Sequence, residues 1–121
     1  MDVDACTDIA ERDAEDCGGV EQARASLISS ETAADVAQLF KALSDPTRVR
    51  IISVLIGHEL CVHSIVDVLG MTQSAISHQL RTLRALRIVR ARRAGKHIYY
   101  TLADAHIGTL FKQGRAHAEH D

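Results

Sequence analysis

The segment "MTQSAISHQLRTLRALRIVRARRAGKHIYYTL", residues 71–102, decides the fold, and its first half predicts a helix. Thr72 is suited to the N-cap position, where a side-chain oxygen accepts a hydrogen bond from an unpaired backbone N–H of the first turn. Ile76, Leu80 and Leu83 recur at helical spacing, so one face of this helix is expected to be buried. The opposite face is then polar and exposed.

The second half of the segment predicts a β-hairpin. Two runs rich in β-forming residues, 88–93 and 96–102, flank the dipeptide Ala94-Gly95. A short glycine-containing connection between two such runs is typical of a hairpin turn. The predicted hairpin is strongly basic near its tip, at Arg92, Arg93 and Lys96.

Helices are also predicted before and after this segment. In "SDPTRVRIISVLIG", residues 44–57, Asp45 is suited to the N-cap, Pro46 to the first helical position and Gly57 to the stop. Residues 59–70 are predicted to form a short helix. Further helices are expected over residues 20–29, 31–44 and 104–120. Helix, glycine-containing turn, helix and basic hairpin is the order of a winged helix-turn-helix, here mostly α with a small β-hairpin.

In a winged helix-turn-helix, the second helix can present polar side chains to base edges in the major groove, while a basic hairpin contacts phosphates. Taken alone, the polar residues of this helix would be ordinary exposed side chains. The basic hairpin beside them favours DNA binding. The residues expected to contact DNA are Thr72, Gln73, Ser74, Ser77, His78, Arg81, Arg92, Arg93 and Lys96.

The charge of the chain is divided unevenly, although its net value is only −2. Residues 1–40 carry ten acidic and two basic side chains, whereas residues 41–121 carry six acidic and twelve basic ones. Seven of those bases fall within residues 81–96, which contain no acid. A solvated helix surface usually mixes both signs, so this concentration favours contact with a polyanion.

At 121 residues the chain is expected to form one domain over residues 19–121, preceded by an acidic flexible arm at residues 1–18. No apolar run approaches the roughly 18 residues of a membrane span, and the acidic N-terminus does not resemble a signal peptide. Three widely spaced cysteines argue against a disulfide framework and for the cytoplasm. No nucleophile elbow, phosphate loop or HExxH motif is present, so neither an enzyme nor a small-molecule substrate is expected.

The C-terminal stretch "DAHIGTLFKQGRAHAEH", residues 104–120, places metal-ligand residue types at both ends of one predicted helix. Asp104 and His106 lie at its start, and His117 and His120 at its end. The helix rises roughly 16 Å between His106 and His117, whereas a zinc–nitrogen bond is about 2 Å long. Either the four residues are unrelated, or each end of the helix meets the opposite end of a second copy.

Five ordered motifs over residues 31–120 resemble the ArsR/SmtB family of metal-responsive repressors: "DPTRVRII", "ELCV", "QSAISHQLRTLR", "GKHIYYTL" and "DAHI…HAEH". The resemblance implies a homodimeric winged helix that occupies double-stranded operator DNA and leaves it when metal binds. In zinc-sensing members, the C-terminal helices of two subunits run antiparallel and share ligands. The matching residues here are Asp104 and His106 of one chain with His117 and His120 of the other. Three imidazoles and a carboxylate favour Zn(II) as effector, with Co(II) as a spectroscopic substitute.

The resemblance also points to a second metal site, at Cys61 and His63. Thiolate-using relatives place a Cys-x-Cys pair there and add cysteines from an N-terminal arm, which Cys6 and Cys17 match. Such donors suit Cd(II), Pb(II) or Zn(II). This chain departs from the pattern because His63 replaces the second cysteine and Ser64 stands where some relatives have Asp. Three alternatives stay open: a Cd(II) or Pb(II) sensor that uses this site, a metal-buffering protein, and a Cys61 that is only a small buried side chain.

The resemblance further implies a route from metal to DNA. In the family, one ligand imidazole donates its second N–H to a backbone carbonyl that follows the recognition helix. The matching pair here is His117 as the donor and the carbonyl of Arg87 as the acceptor.

Overall fold

The structure is a computed structural model that describes residues 18–120. Cys6, Cys17 and nearly all of the predicted arm at residues 1–18 lie outside the described residues. The described residues divide into two units between Asp35 and Val36. The second unit carries all the other candidate site residues. The predicted boundary between the arm and the domain stays a prediction.

The helices of the described residues are α1 (Val20–Ser26), α2 (Ser30–Ala42), α3 (Pro46–Leu55), α4 (Val62–Leu69), α5 (Gln73–Ala85) and α6 (Ala105–Glu119). The strands are β1 (Leu60–Cys61), β2 (Val89–Ala94) and β3 (His97–Leu102). Helices α4 and α5 are followed by the β2–β3 hairpin, so the predicted order of a winged helix-turn-helix is confirmed. Within residues 18–120, no helix has the length and apolar character needed to cross a membrane.

The hairpin belongs to a three-stranded antiparallel sheet with the order β1-β3-β2. Leu60 pairs with Tyr100 and Cys61 pairs with Tyr99. The prediction of a helix from residue 59 is therefore wrong at its start. The backbone at Cys61 is extended (φ −82°, ψ 168°), and this residue both ends β1 and forms the N-cap of α4.

The hairpin turn lies one residue later than predicted. Ala94 pairs with His97, so the turn is formed by Gly95-Lys96 rather than by Ala94-Gly95. Gly95 has a φ of 63°. Two-residue hairpin turns require a positive φ, and glycine adopts it without a Cβ clash, which explains why the glycine opens the turn.

Two N-caps fix where α3 and α5 begin. The Asp45 carboxylate accepts a hydrogen bond of 3.0 Å from the backbone N–H of Arg48, and Pro46 occupies the first turn of α3. The Thr72 hydroxyl accepts one of 3.1 Å from the backbone N–H of Ala75. Each such cap stabilises its helix by about 1 kcal/mol. Both predicted caps are confirmed.

One hydrophobic core joins α3, α4, α5, α6 and the start of the hairpin. Its fully buried side chains are Ile51, Ile52, Leu55, Ile65, Ile76, Leu80, Leu83, Ile88 and Val89. The predicted stripe of Ile76, Leu80 and Leu83 is 0% exposed. Because these three side chains are anchored in the core, the opposite face of α5 is held in a fixed direction at the surface.

Helix α5 ends in a Schellman motif. The backbone N–H of Ile88 donates to the carbonyl of Leu83 over 2.9 Å, and the N–H of Arg87 donates to the carbonyl of Arg84 over 3.0 Å. Leu83 and Ile88 are both buried, which adds the hydrophobic contact common in this motif. Arg87 holds the left-handed position with a φ of 61°, where glycine is usual.

Arg87→Gly is expected to raise the free energy of unfolding by up to about 1 kcal/mol. Relief of left-handed strain, about 1–2 kcal/mol, exceeds the entropy that glycine adds to the unfolded chain. Equilibrium urea unfolding measures the difference. Arg84→Gly removes an arginine from a helical position instead, and should lower stability by about 1 kcal/mol. A less stable Arg87→Gly protein would contradict backbone strain at this residue.

Candidate functional site

Helix α5 presents a polar surface beside the hairpin. It exposes most of its side chains that were predicted to contact DNA, and Ser77 is half-buried. The exposed residues of that set are Thr72, Gln73, Ser74, His78 and Arg81. This surface, together with the basic hairpin, forms the candidate nucleic-acid interface.

The predicted basic residues of the hairpin do not have equivalent surroundings. Arg92 donates two hydrogen bonds to the Glu59 carboxylate, of 2.8 and 2.6 Å. Its guanidinium also lies 5.2 Å from the centre of the Tyr99 ring. Among residues 18–120, Arg93 and Lys96 take part in no ion pair. Arg93 and Lys96 are therefore better placed than Arg92 to contact phosphate.

The pairing of Glu59 with Arg92 has electrostatic consequences. The hydrogen bond from Arg92 lowers the pKa of the Glu59 carboxyl, while the same bond raises the pKa of the Arg92 guanidinium. Both groups are therefore charged near neutral pH, and the pair as a whole carries no net charge. Glu59 was not predicted from the sequence, because 33 positions separate it from Arg92.

Arg93→Ala and Lys96→Ala are each expected to reduce the salt dependence of DNA binding, lowering the slope of log K against log salt by about 1. Arg92→Ala should change this slope less, because Glu59 already neutralises the guanidinium. Fluorescence anisotropy with a duplex over a salt series measures the three slopes. Glu59→Gln is the matched test, since it frees Arg92 and should raise DNA affinity. Equal slope changes in all three variants would contradict the distinction.

Helix α6 places its predicted ligands at opposite ends. Asp104 is the N-cap, and its Oδ1 accepts a hydrogen bond of 2.8 Å from the backbone N–H of His106. The same oxygen lies 3.1 Å from His106 Nδ1, so these two side chains are adjacent. His117 lies in the last turn and His120 is the C-cap. All four residues are exposed. Within residues 18–120 of one chain, no three His, Cys, Asp or Glu side chains are grouped to hold a metal.

An open apolar groove of about 690 Å³ runs along the same helix. Its walls come from α2, α3 and α6, and include Phe40, Leu43, Leu110 and Phe111. Phe40 is 53% exposed, which is unusual for so large an apolar side chain. A contiguous apolar surface of this kind is typical of a protein–protein contact.

A smaller cavity of about 250 Å³ brings together Cys61 and His63 with residues of α5 and the hairpin. Gln73 and Ser77 line it from α5, and Lys96 and His97 from the hairpin. The sequence did not single out His97. The only signal for it is the pairing of β1 with β3, which becomes visible only in the folded sheet.

The Cys61 thiol has a polar partner. Its Sγ lies 3.5 Å from the hydroxyl of Ser64. The hydrogen bond from this hydroxyl lowers the pKa of the Cys61 thiol, the Ser64 backbone N–H adds to the effect, and partial burial opposes it. A lowered pKa favours the thiolate, the form that binds metals. Cys61 is half-buried, so it is not simply a small core side chain.

The chain is similar in sequence and in structure to known regulatory proteins. The family profile described as "Bacterial regulatory protein, arsR family" matches residues 45–91. The chain is 40% identical to the "Transcriptional repressor SmtB homolog" of Synechocystis sp., over 83% of this chain and 76% of that protein. It is also 40% identical to the "Cadmium resistance transcriptional regulatory protein CadC homolog" of Staphylococcus aureus, over 74% and 75% of the two chains. A solved homodimeric winged helix-turn-helix DNA-binding domain of Mycobacterium bovis is similar with a TM-score of 0.68 and 31% identity, over 77% and 89% of the two chains.

Proposed function

The chain belongs to the ArsR/SmtB family of metal-sensing transcriptional repressors, and from this premise we propose that it binds operator DNA as a homodimer and is released by Zn(II). One observation carries the proposal. Helix α6 holds two adjacent donors, Asp104 and His106, at one end and His117 and His120 at the other. The homodimeric relative supports the second chain that such an arrangement requires.

Each zinc site would combine the ends of two α6 helices. Asp104 and His106 of one protomer would join His117 and His120 of the other, and two-fold symmetry makes two equivalent sites. Three imidazoles and a carboxylate suit Zn(II), with Co(II) as a substitute. Four protein ligands occupy all the coordination positions of a tetrahedral zinc ion. This suits a regulatory site better than a catalytic site, which keeps one position open for water or substrate.

DNA binding is assigned to α5 and the hairpin. The exposed Gln73, Ser74 and His78 would read base edges in the major groove, with Ser77 and Arg81 beside them. Arg93 and Lys96 would contact phosphates, which set register and affinity rather than sequence. Double-stranded operator DNA is thus the partner, and the cytoplasm is the location that this partner implies.

Metal binding would change the distance between the α5 helices of the two protomers. Half-sites lie roughly 34 Å apart, about one turn of DNA, so a small change in the separation of the two α5 helices lowers affinity. Helix α6 packs against α3 and β3, which connect it to the DNA-reading part. A hydrogen bond from His117 to the Arg87 carbonyl would complete the route. The Schellman motif supports this idea, because it fixes the direction of that carbonyl.

A DNA-binding assay on the full chain tests the proposal. A duplex that the metal-free protein selects from a random-sequence pool serves as the probe. Addition of Zn(II) should weaken binding about a hundredfold, near the upper end of typical allosteric coupling. A protein that binds zinc but has no affinity for any duplex would instead be a metal buffer. A protein that stays on DNA when saturated with zinc would contradict release.

A second candidate function uses the Cys61 site for Cd(II) or Pb(II). The lowered pKa of the Cys61 thiol supports it, as does the likeness to a relative named for cadmium resistance. Ultraviolet charge-transfer absorption on metal addition would report thiolate ligation. If Cys61→Ser still leaves DNA on zinc addition, this site is not the zinc switch.

A further inference from the structure

We propose that His97, on the hairpin strand β3, is a metal ligand that acts together with Cys61 and His63 of the same protomer. The resulting site would take a borderline or soft divalent cation through one thiolate and two imidazoles. The inference deepens the second candidate function above. It does not depend on the zinc sites at the ends of α6.

The register of the sheet places the three donors side by side. Cys61 pairs with Tyr99 across β1 and β3, and His97 lies two residues before Tyr99. Alternate residues of a strand share a face, so Cys61 and His97 are diagonal neighbours on one face of the sheet. Such neighbours lie roughly 7–8 Å apart, and their Cβ atoms are somewhat closer. Metal–sulfur and metal–nitrogen bonds of about 2.0–2.3 Å let side chains of these lengths meet at one ion.

His63 reaches the same place from the first turn of α4. Its ring centre lies 6.2 Å from that of His97, with the two planes at 90°. Both histidines are exposed, and both line the cavity of about 250 Å³ that also contains Cys61. The donors do not converge on one point in the structure, so ligation requires rotation of the two imidazoles. Exposed side chains rotate within nanoseconds, and such rotation requires no movement of the backbone.

The chemistry of the donors suits the role. The Cys61 Sγ lies 3.5 Å from the Ser64 hydroxyl, which holds the sulfur beside the cavity. One cysteine sulfur with two neutral imidazoles is a donor set that binds Zn(II), Co(II) and Cd(II). Gln73 and Ser77 of α5 and Lys96 of the hairpin line the same cavity. An ion held here would lie against the DNA-reading surface itself. It would influence DNA binding without a change at the dimer interface.

Metal titration in a background without the α6 sites tests the assignment. His117→Ala/His120→Ala removes those sites from the full chain, which is kept reduced. Co(II) and Cd(II) are then added, and charge-transfer and ligand-field absorption report thiolate ligation and coordination geometry. Competition with a chelator gives the affinity. His97→Ala in this background should bind at least about tenfold more weakly, and Cys61→Ser should abolish the charge-transfer band.

Two matched variants separate this site from its rivals. His58→Ala removes an exposed histidine outside the cavity and should leave the affinity unchanged. Cys6→Ser/Cys17→Ser should keep most of the affinity if the hairpin supplies the third donor. Unchanged affinity in His97→Ala, together with loss in Cys6→Ser/Cys17→Ser, would overturn the inference in favour of an arm-based site. That result would not contradict the proposed release of the unmodified protein from DNA by zinc.

Discussion

Mixed dimers of two inactive α6 variants are expected to regain one zinc site each. Asp104→Ser/His106→Ala removes the donors at one end of the helix, and His117→Ala/His120→Ala removes those at the other. Serine is chosen at position 104 because it can retain the N-cap that Asp104 provides. Each homodimer loses both sites. A mixed dimer holds one site with no donors and one complete site, because one protomer supplies the first pair and its partner supplies the second.

The mixed dimer is prepared by co-expression with two different tags, in a Cys61→Ser background that excludes thiolate ligation. Co(II) absorption and zinc competition give the stoichiometry, and anisotropy gives the DNA affinity with and without metal. In the unmodified protein zinc should lower DNA affinity about a hundredfold. In each variant homodimer zinc should leave DNA affinity nearly unchanged. A mixed dimer that binds no zinc at α6 would show that the two ends of the helix do not combine across the dimer. That result would contradict the proposed arrangement.

The local parts of the fold were predictable from the sequence. The N-caps Asp45 and Thr72 and the stripe of Ile76, Leu80 and Leu83 all act within one helix. Capping and helical periodicity depend on residues three or four positions apart, so a linear reading detects them. The winged helix-turn-helix followed from the order of these elements.

The non-local parts were not predictable. β1 is only two residues long, too short for any alternation to appear in the sequence. It exists because it pairs with Tyr99 and Tyr100, nearly forty positions later. The same long-range pairing brings His97 to Cys61 and places Glu59 beside Arg92. Sequence reasoning therefore identified Cys61, His63 and the basic hairpin, but it could not tell which residues stand next to them.

The candidate zinc site was only partly predictable from the sequence. Spacing alone showed that His106 and His117 cannot share an ion on one straight helix, and the unbroken α6 has that form. The partner that would complete the site is a second chain. Neither the sequence nor a single protomer contains that chain, so the ligand set stays a proposal until the dimer is tested.

Phe40→Asp is expected to make the protein monomeric and to remove most of its operator affinity. The side chain is 53% exposed in one protomer and lines the apolar groove with Leu110 and Phe111. In the proposed homodimer a second copy would cover this groove. A buried unpaired carboxylate costs several kcal/mol, and two-fold symmetry introduces it twice. Loss of the second half-site should lower operator affinity towards non-specific binding, by about a thousandfold or more.

Sedimentation velocity measures the oligomeric state, and anisotropy measures the affinity. Val68→Asp is the matched control, because Val68 is 61% exposed on α4 and lies outside the groove. This control should remain dimeric. The exposure of Phe40 in one protomer means that aspartate should leave the protomer folded, which circular dichroism verifies. If Phe40→Asp stays dimeric with full operator affinity, the groove is not the dimer contact. The dimer would then not bring the two α6 helices together, as a zinc ion shared between them requires.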